Sequence, residues 1–135
     1  LDCPPMRVLV IDDEQALLHM MVTSLRGMGH EPEAVSSSRD TYEKIINETY
    51  DLIICDMKMP DIDGRQVYQF IQERRPELVA HLIFSSGDTV SVDNHEFFQE
   101  TGCVFLPKPF LQKELKQALY KAATNAGLSK YASET

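Results

Sequence analysis

The sequence predicts an α/β fold, a doubly wound, three-layer sandwich in which helices cover both faces of a parallel sheet of five strands. Short apolar runs alternate with stretches of helical periodicity, which is the pattern of repeated strand–helix units. In addition, four of the apolar runs lead to acidic, hydroxyl or basic side chains. Polar groups at the carboxyl ends of parallel strands converge on one crevice, so the pattern predicts a fold and a site together.

Composition indicates one soluble globular domain. The chain has 135 residues, of which 43% are apolar and 25% are charged, ordinary values for a domain with a single core. Asp and Glu number 21 against 13 Lys and Arg, and the net charge of −8 argues against direct nucleic-acid binding and a polybasic membrane anchor. No apolar stretch approaches the roughly 20 residues of a membrane helix, and no secretion leader is found. We therefore expect a cytoplasmic protein without membrane insertion.

The three cysteines, Cys3, Cys55 and Cys103, show no spacing typical of metal ligands. Cys55 and Cys103 lie in apolar runs, and free cysteines are commonly buried, so both are predicted to be small core residues. A reducing compartment is consistent with this interpretation, because it would keep such thiols unpaired.

The first strand and the first helix follow from a change in hydrophobic period. Residues 8–11 form an apolar run, and strand 1 is predicted at residues 7–11. Residues 14–28 show helical periodicity, and Gly29 ends the helix. The predicted buried face of this helix consists of Ala16, Leu17, Met20, Met21 and Leu25.

The next elements are a polar strand, a capped helix and an apolar strand. Residues 31–35 are predicted to be strand 2, near an edge of the sheet because the run is less hydrophobic. Ser37 or Ser38 is predicted to cap a helix that ends at Glu48. Residues 52–56 are apolar up to the final acid, as expected for a strand that is covered on both faces.

The second half of the chain continues the alternation. Residues 65–75 are predicted to form helix 3, which a proline ends, and residues 81–85 form strand 4. Residues 88–100 make a marginal helix, because the segment begins with β-branched and polar residues. Residues 103–106 form strand 5, and residues 111–125 form the last helix. The inward residues of that helix are predicted to be Leu115, Ala118, Leu119 and Ala122.

These elements are predicted to make one domain at residues 6–127, between an N-terminal linker at residues 1–5 and a C-terminal tail at residues 128–135. Right-handed crossovers allow helices on both faces of the sheet. A strand order of 2-1-3-4-5, as in flavodoxin-like folds, would place the topological switch point between strands 1 and 3. A ligand crevice is expected there.

Five polar residues form the candidate site, because they follow predicted strands: Asp12, Asp13, Asp56, Ser86 and Lys108. Three clustered carboxylates are unstable unless protons or a cation neutralise them, and their hard oxygens suit Mg²⁺, with Mn²⁺ as a second choice. A carboxylate can also attack phosphorus, while an ammonium and a hydroxyl group hold phosphoryl oxygens. The sequence has no complete nucleotide-binding motif, so the phosphoryl donor must be another molecule.

Other interpretations use some of the same residues. A single Asp after a strand is usually a turn or helix-capping residue, and a Lys-Pro pair alone indicates only a loop. An aspartyl-phosphate hydrolase commonly has a second acid two residues after its nucleophile, where this chain has Lys58. A flavodoxin-like cofactor module would need Ser, Thr and Gly after strand 1, where Asp12, Asp13 and Glu14 would repel a flavin phosphate.

Four motifs, in order along the chain, are informative together. They are VLVIDDE at residues 8–14, DMKMPDIDG at 56–64, IFSSG at 83–87 and FLPKPF at 105–110. The chain thereby resembles the receiver domain of two-component response regulators, the family of the chemotaxis protein CheY. The separations of 30 residues from Asp56 to Ser86 and of 22 residues from Ser86 to Lys108 also suit that family. The resemblance covers residues 6–123.

The resemblance implies a role for each acid of the candidate site. Asp56 would be the phosphoacceptor, and the product would be an acyl phosphate. Asp12 or Asp13 would bind Mg²⁺ together with Asp56 and the backbone carbonyl of Lys58. Lys58 is a less usual residue beside the acceptor.

The resemblance also implies a conformational switch. Ser86 would be the switch hydroxyl, and Lys108 would contact the phosphoryl group and precede a cis bond to Pro109. Phe105 would be the switch aromatic, and because it lacks the hydroxyl of the more usual tyrosine, it must act through ring packing. Phosphorylation would shift the conformational equilibrium of the face formed by residues 88–126, which would pass the signal to a downstream protein.

By the same resemblance, the phosphoryl donor is a phosphohistidine of a histidine kinase or of a phosphotransfer domain. The chain would be a phosphorelay module, not an enzyme that turns over a substrate. The stretches GDT at residues 87–89 and FFQETG at 97–102, together with the missing initial Met, favour a receiver segment of a hybrid histidine kinase over a free single-domain regulator. With only eight residues after Gly127, no output domain is expected to follow. A degenerate receiver that acts by binding alone is the main alternative, and a homodimer through strand 5 and the last helix is left open.

Overall fold

The computed structural model describes residues 5–87 and 92–128, which form a parallel sheet of five strands between two layers of helices. The strands are β1 (Arg7–Ile11), β2 (Glu31–Val35), β3 (Leu52–Asp56), β4 (Leu82–Ser86) and β5 (Val104–Pro107). The helices are α1 (Gln15–Gly27), α2 (Ser38–Asn47), α3 (Gly64–Arg74), α4 (Val92–Thr101) and α5 (Gln112–Asn125). The sheet order β2-β1-β3-β4-β5 confirms the predicted doubly wound fold and the edge position of β2.

Alternation along the strands divides the apolar side chains between two cores. Val10 and Ile54 point toward one layer of helices and form the α1/α5 core. Leu9 and Ile53, one position earlier on the same strands, point to the opposite layer and form the α2/α3/α4 core. Because both faces are covered, the inner strands are apolar at almost every position, which is why they could be found as continuous runs.

Caps mark the ends of several helices. Ser37 is the N-cap of α2, and its hydroxyl oxygen accepts a hydrogen bond from the backbone N–H of Asp40 at 3.2 Å, as predicted. At the start of α3, Asp63 and Gln66 form a reciprocal capping box with two bonds of 2.9 Å. Gly29 follows α1 with a φ of 91°, a conformation that favours glycine.

Arg75 ties two helices and the following turn together. Its Nη1 group donates to the carbonyl oxygen of Ile45 at 2.8 Å, near the end of α2, and its Nε group donates to Glu77 at 2.8 Å. The last carbonyls of a helix have no partner within the helix, so this guanidinium supplies one. After Arg75 the chain makes a 3-10 helix, Pro76–His81, which was not predicted because the proline indicated only the end of α3.

The buried face of α1 differs from the predicted one. Its buried residues are Leu18, Met21 and Leu25. Ala16 is exposed, Met20 is 42% exposed and Leu17 is only partly buried, so the prediction was wrong at these positions. The helical period was correct, but adjacent apolar residues in this helix offer two overlapping faces. Docking on the sheet selects the face with spacings of three and four residues.

Other predictions need small corrections. β4 and β5 each begin one residue later than predicted, since His81 ends the 3-10 helix and Cys103 precedes the last strand. Cys55 is fully buried as predicted, whereas Cys103 is only partly buried. The inward residues of α5 are confirmed as Leu115, Ala118, Leu119 and Ala122.

The predictions for Cys3, for residues 88–91 and for residues 129–135 lie outside the described residues. Within the described residues, no helix combines the length and apolarity needed to cross a bilayer.

Candidate functional site

The carboxyl ends of β1 and β3 bring three carboxylates together. Asp12 directly follows β1, and Asp56 is the last residue of the neighbouring strand β3. One oxygen atom from each of Asp12, Asp13 and Asp56 lies within 4.8 Å of the other two. Asp12 and Asp56 are only 4% and 7% exposed, whereas Asp13 is exposed. The structure therefore assembles the predicted acidic group at the switch point of the sheet.

Lys108 lies against the two buried acids. Its Nζ group donates a hydrogen bond to Oδ2 of Asp12 at 2.9 Å and is 3.3 Å from Oδ1 of Asp56. Its backbone N–H donates to the carbonyl oxygen of Ser86 at 2.9 Å, and the bond between Lys108 and Pro109 is cis, as the resemblance implied. The lysine thus spans the gap from β5 to the acids and neutralises part of their charge.

Backbone N–H groups orient both buried carboxylates. The N–H of Glu14 donates to Oδ1 of Asp12 at 3.0 Å, and the N–H of Lys58 lies 3.4 Å from Oδ1 of Asp56. These bonds fold the chain after β1 and after β3 back over the strand ends. Among the described residues, both polar contacts of the Asp56 carboxylate are to Oδ1, from Lys58 and from Lys108.

Gly64, the last residue of the motif at residues 56–64, has a structural role next to the site that the sequence did not reveal. Its backbone N–H donates to the carbonyl oxygen of Met57 at 2.9 Å. A Cβ atom at Gly64 would lie 2.5 Å from Sδ and 3.1 Å from Cα of Met57, and 3.1 Å from Cδ1 of Phe84. The absence of a side chain therefore lets the start of α3 pack directly against the residue that follows Asp56.

The charges of the site shift its ionisation equilibria. Burial, followed by the negative charge of Asp12, raises the pKa of Asp56, and Lys108 and the N–H of Lys58 offset this only in part. Burial works against the ammonium form of Lys108, but the hydrogen bond to Asp12 and the two negative charges outweigh it and raise the pKa of Lys108. Bringing one cation to three acids leaves the site short of positive charge.

The residues present fit a hard divalent cation. Three carboxylate oxygens lie close together, and the two nearly buried acids are in contact with Lys108. Mg²⁺ prefers oxygen ligands and keeps several water molecules, for which the exposed side of Asp13 leaves room.

The two predicted switch residues lie at different places. Ser86 is the last residue of β4, is 3% exposed, and is linked to Lys108 through its carbonyl oxygen. Phe105 is partly buried on the opposite side of β5 from the α1/α5 core, with its ring centroid 4.5 Å from that of Phe98 on α4. The structure thus brings Ser86 to the acidic site and Phe105 to α4.

A second hydroxyl near the acids was not singled out from the sequence. Ser85 is 3% exposed and pairs in register with Asp56 on β3. Its Oγ atom is buried and has no hydrogen-bond partner among the described residues. The sequence could not reveal this, because two adjacent serines at a strand end give no indication of which hydroxyl is bonded.

Comparison with known families identifies this arrangement. The family model for the response regulator receiver domain matches residues 8–120, which include all five residues of the predicted site. The chain belongs to this family. Receiver domains are signalling modules of two-component systems, and the resemblance inferred from the four motifs is therefore confirmed.

The relatives of this receiver domain include both sensor kinases and response regulators. It is 30% identical over 125 residues to hybrid signal transduction histidine kinase L of Dictyostelium discoideum, a match that covers 88% of this chain and 7% of that protein. It is 32% identical over 110 residues to the response regulator protein FleR of Pseudomonas aeruginosa, covering 81% of this chain and 23% of that protein. The chain therefore spans less than a quarter of either relative.

Solved structures show the same fold. A CheY-like receiver domain protein from Methanospirillum hungatei superposes with a TM-score of 0.81 at 25% identity, over 93% of this chain and 98% of that one. The receiver domain of the sensor histidine kinase PA1611 from Pseudomonas aeruginosa superposes with a TM-score of 0.77 at 21% identity, over 91% and 98% of the two chains. The PA1611 structure contains a magnesium ion coordinated in its active site cleft.

Proposed function

We propose that this receiver domain accepts a phosphoryl group on Asp56 from a phosphohistidine of a histidine kinase or phosphotransfer domain, with Mg²⁺ bound beside it. The observation that carries the proposal is the contact of Lys108 with both buried acids, at 2.9 Å from Asp12 and 3.3 Å from Asp56. A structural lysine would need only one carboxylate partner. A lysine that already contacts both acids could move its ammonium group toward the added negative charge of a phosphoryl group on Asp56.

The proposed reaction is a direct transfer between side chains. An oxygen of the Asp56 carboxylate attacks phosphorus, the bond from phosphorus to the histidine nitrogen breaks, and its electron pair stays on the imidazole. Lys108 would balance a phosphoryl oxygen as a point charge. Asp12, Asp13, Asp56 and the carbonyl of Lys58 would hold Mg²⁺, which when bound supplies positive charge to the phosphoryl oxygens; Mn²⁺ suits the same ligands.

The transfer and the later loss of the phosphoryl group would be catalysed by the domain itself, without turnover of an external substrate. Cys55, the fully buried neighbour of Asp56, would take no part, because burial strongly raises the pKa of its thiol. The Asp56 carboxylate, and not this thiol, would therefore be the acceptor.

The switch would pass from the acidic site to α4 and β5. A phosphoryl group on Asp56 would draw the hydroxyl of Ser86 and the ammonium of Lys108 toward it, and both residues are joined through the backbone bond between β4 and β5. Phe105, which packs on Phe98 of α4, would respond by ring packing. The face at residues 88–126 would then bind a downstream protein, with a second copy of the chain as another partner. A cytoplasmic location, alone or as the receiver segment of a hybrid histidine kinase, fits this role.

The test is the intact mass of the chain after incubation with Mg²⁺ and acetyl phosphate. We expect one added phosphoryl group on the native chain and none on Asp56→Asn. The control is Asp61→Asn, an exposed acid in the same loop that accepts a hydrogen bond from Ser38, which should react as the native chain does. An adduct on Asp56→Asn would contradict the assignment of the acceptor, and no adduct on the native chain would favour a degenerate receiver.

The variant Ser86→Ala tests whether acceptance of the phosphoryl group and the later change at α4 and β5 depend on different side chains. We expect this variant to keep the Asp56 adduct, while hydrogen exchange at α4 and β5 no longer changes on phosphorylation, because the hydroxyl that links the two is gone. Loss of the adduct itself in Ser86→Ala would show that the hydroxyl belongs to the transfer step and that this division of roles is wrong.

A further inference from the structure

We propose that Arg65 on α3 holds α4 in the position that it has in the unphosphorylated domain, and that this contact opposes the conformational switch. The inference rests on the proposed function, in which phosphorylation of Asp56 changes α4 and β5. It adds a residue outside both the acidic site and the face at residues 88–126, whose role is to set how many molecules are already switched before phosphorylation.

Arg65 joins two helices. It is the second residue of α3, and its Cζ atom lies 5.1 Å from the ring centroid of Phe97 on α4, within the range of a cation–π contact. Its Nη2 group also donates a hydrogen bond to Oδ1 of Asn94, one turn earlier on α4, at 3.4 Å. Both contacts cross from α3 to α4, and together they are called the Arg65 contact below.

The described part of α4 has few other attachments to the core. Among residues 94–101, Phe97 is the only buried residue, whereas α5 buries five residues along its length. A helix that buries little apolar surface has a low free energy of local opening. One additional contact between side chains therefore makes a measurable difference to the position of α4.

On the α3 side, the Arg65 contact begins from a firmly held turn. Gly64, the residue before Arg65, donates its backbone N–H to the carbonyl oxygen of Met57 at 2.9 Å and packs too closely against Met57 to carry a Cβ atom. The capping box of Asp63 and Gln66 fixes the same turn. The base of the Arg65 side chain is therefore fixed to the loop that follows Asp56.

On the α4 side, the Arg65 contact lies next to the predicted switch residue. The ring centroid of Phe97 is 5.5 Å from that of Phe98, which in turn is 4.5 Å from that of Phe105 on β5. A movement of Phe105 that displaces Phe98 would displace Phe97 as well, because the two residues are adjacent on one helix. A cation–π contact needs the cation within about 6 Å of the ring centroid, and the hydrogen bond to Asn94 is already long. A helix shift of about 1–2 Å would therefore weaken both parts of the contact.

The direction of the effect follows from this geometry. A contact that is made in only one of two states raises the population of that state. The Arg65 contact is made in the unphosphorylated domain, so its removal should raise the fraction of switched molecules. A ligand that binds the switched state has an apparent affinity proportional to that fraction while the fraction is small.

The test compares Arg65→Gln with Arg74→Gln in the full chain. Arg74 is the matched control, because its Cζ atom lies 5.7 Å from the ring centroid of Phe70 and both residues belong to α3. The first measurement is the hydrogen exchange of the backbone amides at residues 94–101, without Mg²⁺ or a phosphoryl donor. We expect exchange about fivefold faster in Arg65→Gln, the ratio that corresponds to the loss of one cation–π contact, and native rates in Arg74→Gln.

The second measurement is the affinity for beryllofluoride with Mg²⁺, a mimic of the acyl phosphate. The affinity should rise about fivefold in Arg65→Gln and stay at the native value in Arg74→Gln. Arg65→Lys keeps a cation but loses the planar donor group, so it should give values between those of the native chain and Arg65→Gln. A substitution that only damaged the fold would not raise the affinity, so the direction of the change distinguishes a role in the switch from a structural one.

Three results would overturn the inference. Native exchange rates at residues 94–101 in Arg65→Gln would mean that Arg65 does not hold α4. Faster exchange with an unchanged or lower beryllofluoride affinity would mean that the contact supports the fold without opposing the switch. Equal changes in Arg74→Gln would mean that the lost charge, and not the contact with α4, is responsible.

A failure of the proposed function would look different. The native chain and Asp56→Asn would then both fail to bind beryllofluoride, and the inference would fall together with the phosphoacceptor assignment. Tight binding by the native chain with an equal affinity in Arg65→Gln would remove the inference alone.

Discussion

The two ends of the sheet carry charged clusters of opposite character. At the amino end, Arg7 lies 3.5 Å from Glu33 and 3.0 Å from Glu48, and Lys44 lies 3.2 Å from Glu33. Cations and anions alternate in this cluster, and both Glu33 and Glu48 have a basic partner. At the carboxyl end, three acids lie close together, and Lys108 contacts two of them, Asp12 and Asp56.

Ionisation follows this difference. A hydrogen bond from Tyr50 is the main cause that lowers the pKa of Glu33, and Lys44 and Arg7 lower it further. Burial and the charge of Asp12 raise the pKa of Asp56. A depressed acid pKa means that the folded state favours the ionised group, and a raised one means the reverse. The amino end therefore stabilises the fold through its charges, while the carboxyl end holds charges that a cation or a phosphoryl group would rearrange.

The largest expected effect on stability comes from a substitution that disturbs the close packing at the carboxyl end of the sheet. Gly64→Ala should lower the free energy of unfolding by about 2 kcal/mol, since the new Cβ would overlap Met57 and press on Phe84. Urea unfolding followed by circular dichroism measures this change. Gly27→Ala is the matched control, because nothing lies within 4 Å of its Cβ position, and it should leave stability unchanged or slightly raised. Equal stability of the two variants would show that the close packing at Gly64 relaxes freely.

A smaller effect should follow from removing an acid at the amino end. Glu33→Gln should lower the free energy of unfolding by about 1 kcal/mol, after allowance for solvent screening, because it weakens the bonds to Tyr50, Lys44 and Arg7. The loss should shrink as salt is added in urea titrations. The control is Glu96→Gln, an exposed acid on α4. A Glu33→Gln variant as stable as native protein would remove the contrast between the two ends.

The smallest expected effect is an increase in stability, in contrast to the two losses above, and it tests the repulsion among the acids at the carboxyl end. Asp13→Asn should raise the melting temperature by about 2 °C in the presence of a chelator, because it removes one of three like charges. With saturating Mg²⁺ the variant should instead melt below the native chain, since it would bind the cation about tenfold more weakly and gain less stability from it. Calorimetric scans with and without Mg²⁺ measure both values. A lower melting temperature for Asp13→Asn with the chelator would show that the acids do not repel one another in the empty site.

The architecture was predictable because the strands are buried on both faces. Continuous apolar runs such as residues 52–55 identify inner strands without any information from the rest of the chain, and right-handed crossovers then restrict the order of the sheet. The start of α2 was likewise predictable, since capping by Ser37 depends only on its near neighbours. The buried face of α1 was not, because it depends on docking against the sheet.

The members of the site were predictable, but their contacts were not. Strand ends identified Asp12, Asp56 and Lys108, because every parallel strand delivers its next residue to the same edge. Lys108 contacts both acids because its long side chain extends from the end of β5 across the end of the sheet, and the sequence does not specify that direction. The burial of the Ser85 hydroxyl without a partner among the described residues depends on the register of three strands, which no local pattern encodes.

The packing of Phe105 on Phe98 has a thermodynamic consequence for the proposed switch. A ring without a hydroxyl moves between two positions without making or breaking a hydrogen bond of its own, so the contribution of Phe105 to the free-energy difference between the two states would come mainly from the apolar surface that the ring buries. Burial of apolar surface carries a large change in heat capacity, and its free energy varies with temperature. The fraction of active receiver at a given level of phosphorylation would therefore change with the temperature at which the cell grows.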